Sequence, residues 1–109
     1  MSTEDPAQSA AHAGGTTSDI PVEPQSLEWM RRLVAIPSIS GTSNLGVIEL
    51  IEAEFTRYGY TGQRTYNADQ TRANLWVTVP AADGSTEGGI VISGHTDVVP
   101  VEGQTWDSD

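Results

Sequence analysis

The stretch Gly89-Ile90-Val91-Ile92-Ser93-Gly94-His95-Thr96-Asp97-Val98-Val99-Pro100 limits what this chain can fold into more than any other. Ile90, Val91 and Ile92 are β-branched, with no polar residue alternating between them. Such a run fits a strand covered on both faces, as in a sheet sandwiched by helices, although periodicity alone also admits other buried segments. Polar side chains follow Gly94, at the strand's carboxyl end, where ligands bind in open α/β sheets. With an extended backbone through Asp97, His95 and Asp97 project to the same side, because side chains alternate with period two.

An imidazole beside a carboxylate is a common metal-ligand arrangement. The carboxylate accepts the ring N–H, fixes the tautomer and leaves the other nitrogen's lone pair for a cation. On that reading His95 is a metal ligand and Asp97 orients it. The alternative is a histidine satisfied at a strand end beside an acidic turn, since one His-x-Asp pair does not make a metal site. The sequence holds no cysteine, so a metal would rest on histidine and carboxylates, a donor set suited to zinc, cobalt or manganese.

A chain of 109 residues is one domain at most. Its net charge of −10 argues against nucleic acid and against an anionic membrane face, both of which call for a basic surface. No run approaches the length of a membrane span, and the amino terminus has neither the positive leader nor the apolar core of a signal peptide. The lack of cysteine says little about compartment but fits the cytoplasmic location expected for the chain. Residues 1–24 carry Glu4, Asp5, Asp19 and Glu23, no base and little that is apolar, which predicts a disordered acidic tail; residues 25–109 form the folded part. His12, inside that tail, has no second ligand nearby and reads as a solvated histidine.

A first helix is expected after Ser26 as N-cap, with Leu27, Met30, Leu33 and Val34 on one face and Pro37 as its stop. A second should start with Ser43 or Asn44 as cap and run through Val47, Ile48, Ile51 and Phe55 to Tyr58, closed by Gly59 in the left-handed C′ position. Glu49, Glu52 and Glu54 then form a solvated face. Segments 60–66 and 74–79 read as two strands joined by polar residues, with Leu75, Val77 and Val79 on one side and Trp76 and Thr78 on the other. Arg64 and Arg72 fall on or beside this hairpin; they could hold a substrate carboxylate or simply be exposed arginines. The chain is thus α/β, with two helices followed by about three strands.

The segment from Ser93 to Pro100, followed by Gly103-Gln104, Trp106 and Ser108-Asp109, resembles the first metal-binding motif of the di-zinc amidohydrolases and metallopeptidases. That family includes acetylornithine deacetylases, succinyl-diaminopimelate desuccinylases, aminoacylases and carboxypeptidases. Arg32-Leu33-Val34 to Ser38, Ser43-Asn44-Leu45 and Ala73-Asn74-Leu75-Trp76 are most similar to the acetylornithine deacetylases, over residues 27–109 and in the same order. The resemblance implies the amino-terminal portion of a three-layer α/β/α zinc-exopeptidase-like catalytic domain, often homodimeric at full length. It implies a zinc cofactor, two ions in the complete site with cobalt possible, and an N-acyl amino acid substrate cleaved at its amide in arginine biosynthesis. His95 matches the metal ligand, and Asp97 matches the catalytic partner carboxylate. Desuccinylase or peptidase activity shares both residues and stays open, as does a non-catalytic remnant or interaction module. The bridging aspartate, the glutamate base and a second domain are expected beyond Asp109. The chain is therefore expected to be an inactive fragment of limited stability, exposing the Ile90–Ile92 run.

Overall fold

The computed structural model describes residues 23–107. The acidic stretch read as a tail lies outside them up to residue 22, as do His12 and the last two residues. Four elements follow in order: α1 (Pro24–Val34), α2 (Leu45–Arg57), β1 (Gly62–Tyr66) and β2 (Ala73–Val77). The strands pair antiparallel, from Gly62 opposite Val77 to Tyr66 opposite Ala73. No helix among the described residues is long and apolar enough to cross a membrane.

α1 starts earlier than the sequence suggests, inside the stretch assigned to the tail. Glu23 occupies the N-cap without a side-chain bond, and Pro24 takes the first helical position. Proline's fixed φ suits that position and its missing N–H is no loss there, so Ser26 falls inside the first turn instead of capping it. Arg31 and Arg32 stand in the last turn, where they complement the helix's negative end. The apolar face read from the sequence forms but stays uncovered: Met30 is 60% exposed and Val34 83%.

α2 carries the packing. Val47 and Ile48 are buried, and with Ala73 at the start of β2 they make the small core. The hairpin presents Ala73, Leu75 and Val77 inward and Asn74 and Trp76 outward, the alternation a half-covered sheet requires. Glu52 departs from the solvated face predicted for it. It turns toward β1 and accepts hydrogen bonds from Arg64 Nε (2.7 Å) and Nη2, an ion pair joining helix to strand. This pair, with Tyr66, holds the Arg64 guanidinium's pKa above its ordinary value. Arg64 is thereby committed to the fold and is not available to a substrate.

The end of α2 follows the sequence closely. Gly59 adopts φ +86°, its N–H bonds the Thr56 carbonyl (2.9 Å), and the Tyr60 N–H reaches the Phe55 carbonyl (3.0 Å). This is a Schellman closure, and the Phe55 and Tyr60 rings meet edge-on across it at 6.5 Å. A Cβ on residue 59 would touch nothing within 4 Å, so any penalty comes from the backbone alone. Gly59→Ala is expected to destabilise the chain by about 1 kcal/mol, read as a lower urea midpoint at unchanged slope.

The third strand does not form. Among the described residues the sheet has two strands, and Ile90, Val91 and Ile92 are 91%, 69% and 94% exposed. A non-alternating apolar run needs neighbours on both edges and helices on both faces, and nothing in the described chain supplies them. Only the far end of this segment is held, by a parallel bridge between Ile39 and Val98.

Candidate metal centre

The bridge at Ile39 and Val98 fixes the candidate site. The Ser40 N–H donates to the Val98 carbonyl (2.9 Å) and the Val98 N–H to the Ser38 carbonyl (3.0 Å). The loop between the helices thus lies alongside Thr96–Val98 as a short strand would. Ser38, itself buried, donates its Oγ–H to the Thr96 carbonyl (2.6 Å). Asn44 joins the third piece. Its amide oxygen accepts the Ala73 N–H (2.9 Å), while its Nδ2 donates to the Ala73 carbonyl (2.9 Å) and to Thr96 Oγ1 (3.2 Å). One side chain therefore occupies the hairpin edge as a neighbouring strand would, and it ties that edge to the residue after His95.

His95 and Asp97 meet on this frame. His95 Nδ1 lies 2.9 Å from Asp97 Oδ1 and 3.0 Å from the Asp97 carbonyl oxygen. Ser40 donates its Oγ–H to the other carboxylate oxygen, Oδ2, at 2.5 Å. The Ser40 hydroxyl first, and His95 second, hold the Asp97 carboxyl below its ordinary pKa. Asp97 is thus ionised at neutral pH and can only accept, so Nδ1 is the nitrogen that carries the proton toward it, and Nε2 is the nitrogen left to offer a lone pair to a cation. The imidazole side chain is 85% exposed, which leaves Nε2 open to an incoming ligand.

The pair lines a cleft of about 720 Å³ together with Ser38, Asn44, Tyr66 and Arg72. That volume is in the range of small-molecule sites. His95 also borders a second, more apolar hollow between the end of α1 and Val98–Val101.

The donor chemistry fits a metal as far as it goes. A neutral imidazole whose far nitrogen is fixed by a carboxylate is what zinc takes as one of its ligands. It is one ligand: no group of three or more histidines, cysteines or acids stands together among the described residues. Glu49, Glu52 and Glu54 are on α2 and do not line the cleft.

Ser40 and Asn44 act here in ways the sequence did not suggest: Ser40 stood out for nothing, and Asn44 only as a candidate helix cap and part of a matching segment. A signal exists for the first. Ser38 and Ser40 are two apart, as His95 and Asp97 are, so two short extended segments laid side by side present matching polar faces. Asn44 gives no such signal, because its partners lie 29 and 52 residues away.

No family model matches the chain, and no solved structure matches it. Curated relatives align with it over most of its length, two of them as follows. An acetylornithine deacetylase of Erwinia tasmaniensis is 33% identical over 93 residues, which cover 79% of this chain and 23% of that protein. An acetylornithine deacetylase of Salmonella arizonae is 32% identical over 95 residues, covering 81% of this chain and 24% of that protein. The chain spans about a quarter of the length of these relatives, and the similarity supports a relation to hydrolases of that kind.

Proposed function

We propose that this chain is the amino-terminal part of a zinc-dependent amidohydrolase that, as a whole protein, removes the acetyl group from N2-acetylornithine. The observation that carries this reading is the His95–Asp97 pair at the cleft, with Nδ1 engaged and Nε2 free. The similarity to acetylornithine deacetylases supports the choice of substrate. The parent domain is then the three-layer α/β/α form, in which Ile90–Ile92 gains the strand neighbours it lacks here.

When bound, zinc supplies a coordinated water with a pKa lowered toward about 7 and a Lewis acid for the amide carbonyl. The part of this chain is to hold the metal's first imidazole. Asp97 keeps the proton on Nδ1, and Ser40 keeps Asp97 from rotating away. Among the described residues no carboxylate besides Asp97 lines the cleft, and Asp97 is committed to the ring. A general base must therefore come from elsewhere in the whole protein, and the chain by itself is inactive.

Zinc titration of the chain tests the ligand role. Wild type and a His12→Ala control are expected to show zinc-dependent shifts of the His95 ring resonances and weak binding heat. His95→Ala should lose the binding. Equal binding by wild type and His95→Ala overturns the assignment, and acetate release from N2-acetylornithine by the chain alone contradicts its inactivity.

A further inference from the structure

Among the described residues, Arg72 is the one cation lining the cleft that His95 and Asp97 share, and Asp97 is the one acid. The other four arginines are placed elsewhere. Arg57 pairs with Glu54, Arg64 pairs with Glu52, and Arg31 and Arg32 close α1, with the Arg32 guanidinium 4.5 Å from the Trp29 ring centroid. Arg72 has no carboxylate within ion-pair distance among the described residues. Asp69, the acid closest to it in sequence, is held chiefly by the Thr71 hydroxyl (2.6 Å) and N–H (3.2 Å), and the Arg72 charge acts on it only as a lesser, longer-range influence.

The backbone of Arg72 is nonetheless fixed. Its N–H donates to Asn67 Oδ1 (2.9 Å), and its carbonyl accepts the Asn67 N–H (3.0 Å). The next residue, Ala73, is gripped on both its N–H and its carbonyl by the Asn44 amide, and that same amide donates to Thr96. Arg72 and His95 are therefore each one residue away from a residue held by a single side chain. This fixes the backbone beside the arginine and beside the candidate metal ligand to one amide, with both residues lining the same cleft.

We propose that Arg72 is a specificity-determining residue that binds the carboxylate of the substrate while its amide is presented toward His95. This rests on the hydrolase reading above and adds to it the group that recognises the acid end of an N-acyl amino acid. A carboxylate fits better than a phosphate, because one guanidinium neutralises a single negative charge and its planar donors match two carboxylate oxygens. The need is electrostatic as well: a chain of net charge −10 repels an anionic substrate unless a local cation offsets that field.

The test uses the full 109-residue chain, labelled with nitrogen-15 and titrated with N-acetylglycine or its uncharged counterpart N-acetylglycinamide. N-acetylglycine is expected to shift the Arg72 Nε–H, Ala73 and Thr96 resonances, with the amide binding at least about tenfold more weakly. Arg72→Gln should weaken N-acetylglycine binding by a similar factor, and Arg72→Lys should restore part of it. Each variant's dispersed spectrum shows that it remains folded. Equal binding of the acid and the amide, unchanged binding in Arg72→Gln, or no binding of either probe to wild type overturns the proposal. Zinc titration of the same samples separates the two ideas. Loss of carboxylate binding in Arg72→Gln with zinc shifts at His95 intact is the expected result. Arg72-dependent carboxylate binding without any zinc response leaves the subsite standing and removes the metal reading beneath it.

Discussion

Replacing Asn44 with alanine is expected to destabilise the chain by about 2–4 kcal/mol, because it leaves two buried backbone groups without partners. Ala73 is 4% exposed, and both its N–H and its carbonyl end on the Asn44 amide. Water cannot reach such groups fully, and each unsatisfied one costs roughly 1–3 kcal/mol. Asn44→Asp is not a rescue. Its carboxylate still accepts the Ala73 N–H but turns a second acceptor toward the Ala73 carbonyl, so a loss close to that of alanine is expected. The lesion has a signature beyond the urea midpoint. Amide exchange at Ala73 should speed up sharply, and the Thr96 and His95 resonances should move, since Nδ2 also bonds Thr96. A loss under about 0.5 kcal/mol, with Ala73 still protected, would show that the edge is satisfied without this side chain.

The part of the fold that could be read from the sequence is the part held by local chemistry. Val47, Ile48, Ile51 and Phe55 recur at helical spacing, and Gly59 sits where a left-handed residue must close the turn, so α2 and its end follow from short-range rules. The hairpin follows from alternation, with Ala73, Leu75 and Val77 turned inward. Two readings failed because the deciding partners are remote or missing. Ser26 looked like a cap, but Pro24 and the backbone at Glu23 started the helix three residues earlier. The Ile90–Ile92 run had the composition of a central strand, yet a strand exists only where another one pairs with it, and here only Val98 finds such a partner. For the candidate site, the His95–Asp97 spacing was legible. The brace around it was not, because Ser40 lies 57 residues from Asp97 and only the parallel bridge brings them together.

The apolar faces of the two helices should respond very differently to truncation, and the contrast locates the core. Ile48 is 3% exposed, on the side of α2 that meets the hairpin, and it also lines the cleft that His95 borders. Ile48→Ala removes three carbons from the small core of the described residues and is expected to cost about 2–4 kcal/mol in transfer and cavity terms together. A folded unit of this size has a total stability of roughly 4–12 kcal/mol at best, so much of the population should unfold well below the wild-type urea midpoint. Val34 has the same apolar character in the sequence pattern of α1, but it is 83% exposed. Val34→Ala is therefore expected to change stability by less than about 0.5 kcal/mol. Because Asn44 sits one residue before α2, loosening Ile48 should also release the clamp on Ala73 and Thr96. The carboxylate response assigned to Arg72 should then weaken along with stability, whereas in Val34→Ala both should persist. Equal losses in the two variants would mean that α1 is packed against the rest of the chain in solution and that the core is larger than Val47, Ile48 and Ala73.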